Sequence, residues 1–224
     1  MTVKERITKT LEKYNPLAIR RQRRMRENLK EESISFFAPN CIGGILFHDL
    51  GLKFQSPTVN LMLSQTDFAK FMLDFEEYSK KEFIFFEKPG MTCPCARLGD
   101  ITVHFTHYHS PQEAVEKWKS RMKRIDYNNV FVFIEERDGL TKEQMKSLET
   151  LNVRGIVAFT AKRYDDIPYA VFLPKYENDG EVGNILQRNR IDNSREYEKY
   201  FDFVKWFNEA DGYPFDVSNF VVKR

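Results

Sequence analysis

The sequence predicts an α/β fold: an open, mostly parallel, Rossmann-like sheet with helices on both faces, preceded by a basic helical N-terminal extension. Two observations predict it. From residue 33 onward, short runs of β-branched and aromatic residues alternate with amphipathic helical segments. The first 32 residues are instead rich in arginine and have helical spacing. We therefore divide the chain into an extension, residues 1–32, and an α/β domain, residues 33–224.

The segments after residue 33 alternate between strand and helix patterns. Short apolar runs bounded by turn residues predict strands at residues 33–38, 82–86, 101–105, 130–134, 154–159 and 169–173. Apolar residues at helical spacing predict helices at residues 45–50, 66–81, 111–126, 141–150 and 196–209. Such alternation favours a sheet that binds ligands at the carboxyl ends of its strands.

Composition limits the class of protein. The chain is 42% hydrophobic and 30% charged, as in soluble globular proteins, and its apolar runs are too short to span a bilayer. The N-terminus lacks the apolar core of a signal peptide. Three cysteines, an odd number, argue against a disulfide framework and fit a reducing compartment. We therefore expect a cytoplasmic protein.

The net charge of +2 is unevenly distributed. Residues 1–32 hold ten Lys or Arg against five Glu, so this segment carries +5 and the remainder −3. Its densest part contains Arg20, Arg21, Arg23, Arg24 and Arg26. A solvated helix explains this run, and a peripheral contact with anionic lipid on the inner face of the membrane is the functional alternative. The lack of an accompanying aromatic platform argues against nucleic acid.

The most informative run is residues 99–125. Three of the four histidines, His104, His107 and His109, fall within six residues at the end of a predicted strand. His107 is the candidate acid–base group because an imidazole titrates near neutrality, and Asp100 is the neighbour expected to orient it. Tyr108 lies beside it and is a candidate ligand contact. A surface or hydrogen-bonding role is the alternative for each histidine.

The helix that follows has a clear start and a basic stripe. Ser110, Pro111 and Glu113 match a capping box with proline at its first position. Arg121 borders the apolar face and should need an anionic partner. That partner is either a ligand phosphate or an internal carboxylate, for which the candidates are Asp100, Glu135 and Glu136. Glu135 ends the next strand and is also a candidate ligand contact.

The turn at residues 40–44 is a second candidate site. Asn40, Gly43 and Gly44 suit close backbone approach, and a helix start there would attract a phosphate or carboxylate. A thiol beside such a start is a candidate nucleophile, which singles out Cys41. The alternative is a tight turn with Cys41 buried as a small apolar residue.

Several further polar residues follow this turn. His48, Ser56, Thr58 and Asn60 suit contacts with a sugar or phosphate, although they equally suit hydrogen bonds within loops. Cys93-Pro94-Cys95 lies in a predicted loop. No second pair of ligands at zinc spacing accompanies it, so the sequence predicts no metal site.

Three runs resemble a known bacterial family. They are NCIGGILFHDLGLKFQSPTVNL (40–61), GDITVHFTHYHSPQEAVEKWKSRMKRI (99–125) and YEKYFDFVKWFN (197–208). Together they resemble a domain-of-unknown-function family that often carries the label exopolysaccharide biosynthesis protein. The resemblance implies an α/β fold and a link to capsule or surface-polysaccharide assembly. The loop at 89–98 is longer than in the family, and the arginine-rich extension lies outside the resemblance.

We therefore expect a glycosyl- or acyltransferase of exopolysaccharide (capsular polysaccharide) biosynthesis, with an activated sugar or acyl donor and a glycan acceptor. Donor phosphates would lie near Gly43-Gly44 and Arg121, and His107 would be the base. The alternative is a non-catalytic module that binds a nucleotide-sugar or glycan. The sequence identifies no cofactor.

Overall fold

The computed structural model describes residues 15–223 and contains seven strands within that range. They are β1 (Ser35–Phe37), β2 (Phe83–Phe86), β3 (Cys95–Leu98), β4 (Ile101–His104), β5 (Val130–Glu135), β6 (Gly155–Thr160) and β7 (Ala170–Phe172). The α-helices are α1 (Pro16–Asn28), α2 (Ile42–Leu50), α3 (Gln65–Leu73), α4 (Phe75–Lys80), α5 (Pro111–Met122), α6 (Lys142–Ser147) and α7 (Phe203–Glu209). Short 3-10 turns lie at 148–150, 174–176, 196–199 and 218–220.

The strands form two sheets. A four-stranded parallel sheet has the order β1-β5-β6-β7, and a three-stranded antiparallel sheet has the order β2-β3-β4. The predicted α/β class with a parallel sheet is confirmed. The Rossmann-like detail is not, because the described parallel strands follow chain order without the reversal at which Rossmann folds bind dinucleotides. The predicted strands at 82–86 and 101–105 belong to the second sheet.

Helices cover both faces of the parallel sheet. Neighbouring residues of a strand point to opposite faces. The Phe36 ring lies 5.5 Å from the Phe207 ring of α7, whereas the Phe37 ring lies 5.5 Å from the Phe75 ring of α4. The central strands β5 and β6 are buried along their whole length and are apolar except at their last residues, Glu135 and Thr160, because both faces of the sheet are covered.

The two sheets share one core through α5. Its Trp118 ring lies 5.0 Å from Phe83 of β2 and 5.8 Å from Phe71 of α3. A single antiparallel bridge between Met62 and His104 joins the segment before α3 to β4. The turn after β4, which carries His107, therefore lies where the two sheets meet.

The basic segment packs on the domain through α1, which contacts α2 and α7. Arg21 forms ion pairs with Asp49 at 2.5 Å and with Glu198 at 2.9 Å. The Arg26 side chain donates to the backbone carbonyls of Asp49 and His48. Arg21 and Arg26 are therefore bonded within the fold, although Arg26 is exposed, as are Arg20, Arg23 and Arg24. Residues 1–14 of the predicted extension lie outside the described residues. No helix within residues 15–223 has the length and apolarity to cross a membrane.

Several predicted boundaries need correction. The helix at 66–81 is two helices, because the chain leaves the helical path at Asp74. The helix at 196–209 is a 3-10 turn followed by α7. The predicted loop containing Cys93-Pro94-Cys95 includes strand β3, which begins at Cys95 and fills the centre of the antiparallel sheet.

Gly155 allows α7 to pack closely against β6. A Cβ at this position would lie 2.8 Å from Trp206 Cζ2 and 2.9 Å from Phe131 Cδ1, inside a buried aromatic cluster. We expect Gly155→Ala to lower the free energy of unfolding by about 1–3 kcal/mol, measured by urea denaturation, because two buried rings would have to shift to admit the methyl group. Adding Trp206→Phe should recover part of the loss, and strictly additive effects would contradict this account.

Candidate functional site

A thiol and an imidazole meet where β1 gives way to α2. The Cys41 Sγ atom lies 3.3 Å from the His107 Nε2 atom, although the residues are 66 positions apart in the chain. Cys41 precedes the first residue of α2, and His107 lies in the turn between β4 and α5. His107 is exposed and Cys41 is half-buried, so solvent or a ligand can reach both groups. The structure thus brings two of the three predicted catalytic residues together.

Asn40 fixes the turn that carries the thiol. Its side-chain oxygen accepts from the Ile42 backbone N–H at 3.0 Å, which closes a turn immediately before α2. Its side-chain nitrogen donates to Glu135 Oε2 at 2.5 Å. The loop after β1 is therefore bonded to the carboxyl end of the neighbouring strand β5. Cys41 lies between Asn40, which makes this bond, and the first residue of α2.

The surroundings of the Cys41 thiol keep it protonated. Burial raises the pKa of this thiol above its usual value, and a hydrogen bond with the Thr106 side chain offsets only part of that effect. A protonated thiol is a weak nucleophile, so its use requires a base within hydrogen-bond distance. His107 is at that distance. Thr106 also donates to the Asn60 carbonyl, which orders the turn ahead of His107.

Glu135 is a buried carboxyl group behind this turn. Its side chain is 0% exposed, and burial raises its pKa to about 8, so it carries a proton at neutral pH. Oε2 accepts from Asn40 and from Gln65, while Oε1 has no partner among the residues described. Gln65 also accepts from the Glu135 backbone N–H at 2.9 Å. Glu135 acts on the site through Asn40.

The first turn of α2 offers backbone donors beside the thiol. In the described part of the chain, no protein acceptor receives the backbone N–H of Gly43 or Gly44. Gly44 is required for close approach, because a Cβ there would collide with the Asn60 side-chain oxygen. Asn60 itself has a φ of 64°, which asparagine tolerates better than most residues. Both glycines are buried, and their amides are the donors that the first turn of α2 leaves without a protein acceptor.

Comparison with known proteins identifies the family. A family model described as "Domain of unknown function (DUF1919)" matches residues 12–208. The chain belongs to this family. It is also 34% identical over 188 residues to an uncharacterized protein of Haemophilus influenzae, which covers 84% of this chain and 90% of that protein. The DUF1919 match includes the arginine-rich α1, so the prediction that this segment lies outside the family resemblance is wrong.

Four predicted ligand contacts are internal in this DUF1919 chain. Ser56 and Thr58 are buried and share a 3.0 Å hydrogen bond, and Thr58 also accepts from the Ala38 backbone N–H. Tyr108 is buried and donates to the Val59 carbonyl. Arg121 is 5% exposed and donates to that same carbonyl at 2.6 Å and to the Tyr108 hydroxyl.

The predicted role of Arg121 therefore needs correction. Arg121 forms no ion pair with any of the three proposed carboxylates, and its Nη1 atom donates to a backbone carbonyl and a phenol instead. Its planar group also lies 5.2 Å from the Phe54 ring. Burial lowers the pKa of Arg121, and contact with the electron-rich tyrosine oxygen partly offsets this. Arg121 therefore links α5 to the loop before α3 through its hydrogen bond to the Val59 carbonyl.

Asp100 and His48 lie away from the thiol. Asp100 precedes β4 and His107 follows it, so the strand separates them and Asp100 cannot orient the imidazole. Asp100 accepts instead from Tyr78 at 2.5 Å and Lys70 at 2.9 Å, which lowers its pKa to about 2. His48 is exposed near the other end of α2, 3.3 Å from Asp49.

Sequence reasoning missed a second thiol–imidazole pair. Cys95 Sγ lies 3.2 Å from His104 Nδ1 across the β3–β4 pair, on the same face of the sheet as Phe86, and Lys88 Nζ lies 3.4 Å from His104 Nε2. Burial raises the pKa of the Cys95 thiol and lowers that of His104. Strand alternation places Cys95 and Arg97 on one face of β3, but only the register between β3 and β4 makes His104 the partner of Cys95. Across residues 15–223, no group of three or more His, Cys, Asp or Glu side chains is arranged to hold a metal ion.

Proposed function

We propose that this protein is an acyltransferase with Cys41 as its nucleophile and His107 as its general base. The observation that carries the proposal is the 3.3 Å separation of Sγ and Nε2 at an accessible helix start. A thiol and an imidazole at this distance can exchange a proton directly. Of the two predicted transfer chemistries, this pair favours acyl transfer. Glycosyl transfer from a phosphate donor loses support because Arg121 is enclosed.

The reaction consists of two transfers. His107 Nε2 takes the Sγ proton, and the thiolate attacks the acyl carbonyl carbon of the donor. The bond to the leaving group breaks, the leaving group takes the proton from His107, and a thioester remains on Cys41. An acceptor hydroxyl then gives its proton to His107 and attacks the thioester carbon. The ester product leaves, and the returning proton restores the thiol.

The surrounding groups support both steps. The Gly43 and Gly44 amides would bind the oxyanion of each tetrahedral intermediate, where a positioned donor contributes most. Asn40 and Glu135 are positioning residues, since they hold the turn and do not reach the reacting atoms. A hydroxyl-rich glycan is the acceptor we favour, in keeping with the exopolysaccharide or capsule pathway that the family resemblance implies.

Covalent labelling tests the proposal. Incubation with p-nitrophenyl acetate or acetyl-coenzyme A, followed by intact-mass and peptide analysis, should reveal one acetyl group on Cys41. Cys41→Ser should lose it, whereas the matched variant Cys93→Ser, which removes another half-exposed cysteine, should retain it. Equal labelling of wild type and Cys41→Ser would refute the nucleophile. Donor binding without labelling would support the binding module instead.

A further inference from the structure

Strand β2 leaves one edge of the antiparallel sheet open. It pairs with β3 on one side, and its other side forms no backbone hydrogen bond within the described residues. On the outer face, Ile84 is 69% exposed and Phe86 is 38% exposed. An open edge with apolar outward side chains is a template for another strand. Most natural edge strands are protected by charged residues, bulges or a covering segment. We therefore expect the open edge of β2 to pair with another strand.

We propose that β2 pairs antiparallel with β2 of a second copy of the chain, about a two-fold axis through Phe85. The two three-stranded sheets would then become one six-stranded sheet. This inference is independent of the proposed acyl transfer, because the edge and the Cys41 thiol belong to different elements.

The sequence around the strand selects this register. Directly opposed residues in an antiparallel pair share a face, so the axis must pass through a residue and not between two. An axis through Phe85 opposes Ile84 to Phe86 and Glu82 to Lys88, each twice. An axis through Ile84 would instead oppose the exposed Phe86 ring to the Glu82 carboxylate, twice. The Phe85 register therefore pairs the two exposed apolar residues with each other and opposes Glu82 to Lys88.

A groove beside the edge supplies a second complementary feature. It is a cavity of about 570 Å³ between the start of β2 and α5, with Phe83, Trp118 and Met122 in its lining. Its polar rim includes Lys80, Lys81, Lys119 and Lys123. Within the described residues, neither Lys119 nor Lys123 forms an ion pair, so these two charges are available.

The proposed register brings an acid to this groove. Phe83 points towards α5, since its ring lies 5.0 Å from Trp118. The residue opposite Phe83 shares its face, and in the Phe85 register that residue is Glu87 of the partner subunit. Its carboxylate therefore lies next to the lysine rim. Charge complementarity occurs on both faces of the joined sheet, which is the reason we favour a second copy over an unrelated acidic strand.

Charge reversal and rescue test the dimer. Multi-angle light scattering of the full chain over a wide concentration range should give a mass approaching twice 26.6 kDa. Glu82→Lys would place a lysine opposite Lys88 at both ends of the strand pair. It should therefore raise the dimer dissociation constant roughly tenfold or more. Glu82→Lys with Lys88→Glu should restore it. Glu177→Lys, the same charge change at an exposed site elsewhere, should leave it unchanged.

Three results would overturn the proposal. A monomer at every concentration would leave the edge without a second copy, and binding of an acidic peptide to that monomer would identify a different occupant. A dimer that tolerates Glu82→Lys would place the interface elsewhere. A double variant that keeps native circular dichroism and remains as weak a dimer as the single variant would exclude the Phe85 register.

Discussion

Replacing His107 with glutamine should slow acylation of Cys41 by p-nitrophenyl acetate about 10²–10⁴-fold at neutral pH. The reason is the state of the thiol. Burial raises its pKa, so little thiolate exists without a base, and His107 is the imidazole within 3.3 Å. Because His107 is exposed, the substitution should leave the free energy of unfolding nearly unchanged. Stopped-flow release of nitrophenolate measures the rate directly.

The matched control is His48→Gln. His48 is exposed near the other end of the same helix, away from the thiol, so its loss should not change the rate. The deficit of His107→Gln should also shrink with rising pH, because a larger fraction of the thiol then ionises without the base. Equal rates for His107→Gln and wild type at neutral pH would rule out His107 as the base.

Glu135→Gln should stabilise the protein in mildly alkaline solution by roughly 2–5 kcal/mol relative to wild type. The folded-state pKa of about 8 lies above the ordinary value of 4.5. Below about pH 4.5 the folded and unfolded chains both carry the proton, so Glu135 does not change the free energy of unfolding. Between about 4.5 and 8 the unfolded chain releases the proton while the folded chain keeps it. The free energy of unfolding of the wild type therefore falls as the pH rises through this window. In Glu135→Gln this contribution is absent, because the amide does not titrate.

Urea denaturation at several pH values measures this difference. The wild type should lose stability between about pH 5 and pH 8, the variant should lose less, and the two should converge near pH 5. Glu136→Gln is the matched control. The Glu136 carboxylate accepts from the Ala161 and Lys162 amides and from Tyr164, so its loss should destabilise the protein at each pH. Parallel pH curves for wild type and Glu135→Gln would contradict the buried, protonated state.

Local patterns were sufficient for features that depend on near neighbours. The Ser110-Pro111-Glu113 signature predicted the start of α5, where the Ser110 hydroxyl accepts from the Glu113 backbone N–H at 3.2 Å. The turn predicted at 40–44 is followed by the predicted helix, but α2 begins at Ile42 and not at residue 45, so Gly43 and Gly44 lie within its first turn. Capping and turn formation involve groups a few residues apart, so the sequence carries their full description.

The sequence by itself determined the α/β class and the capped start of α5, and it indicated Cys41 and His107 as candidate reactive groups. Only the tertiary structure decided that these two meet, that Asp100 stays apart, and that Glu135 rather than Arg121 supports the turn. It also decided that the strands divide between two sheets. The physical reason is that strand pairing and side-chain enclosure depend on residues far apart in the chain, and the period of a strand does not specify its partner.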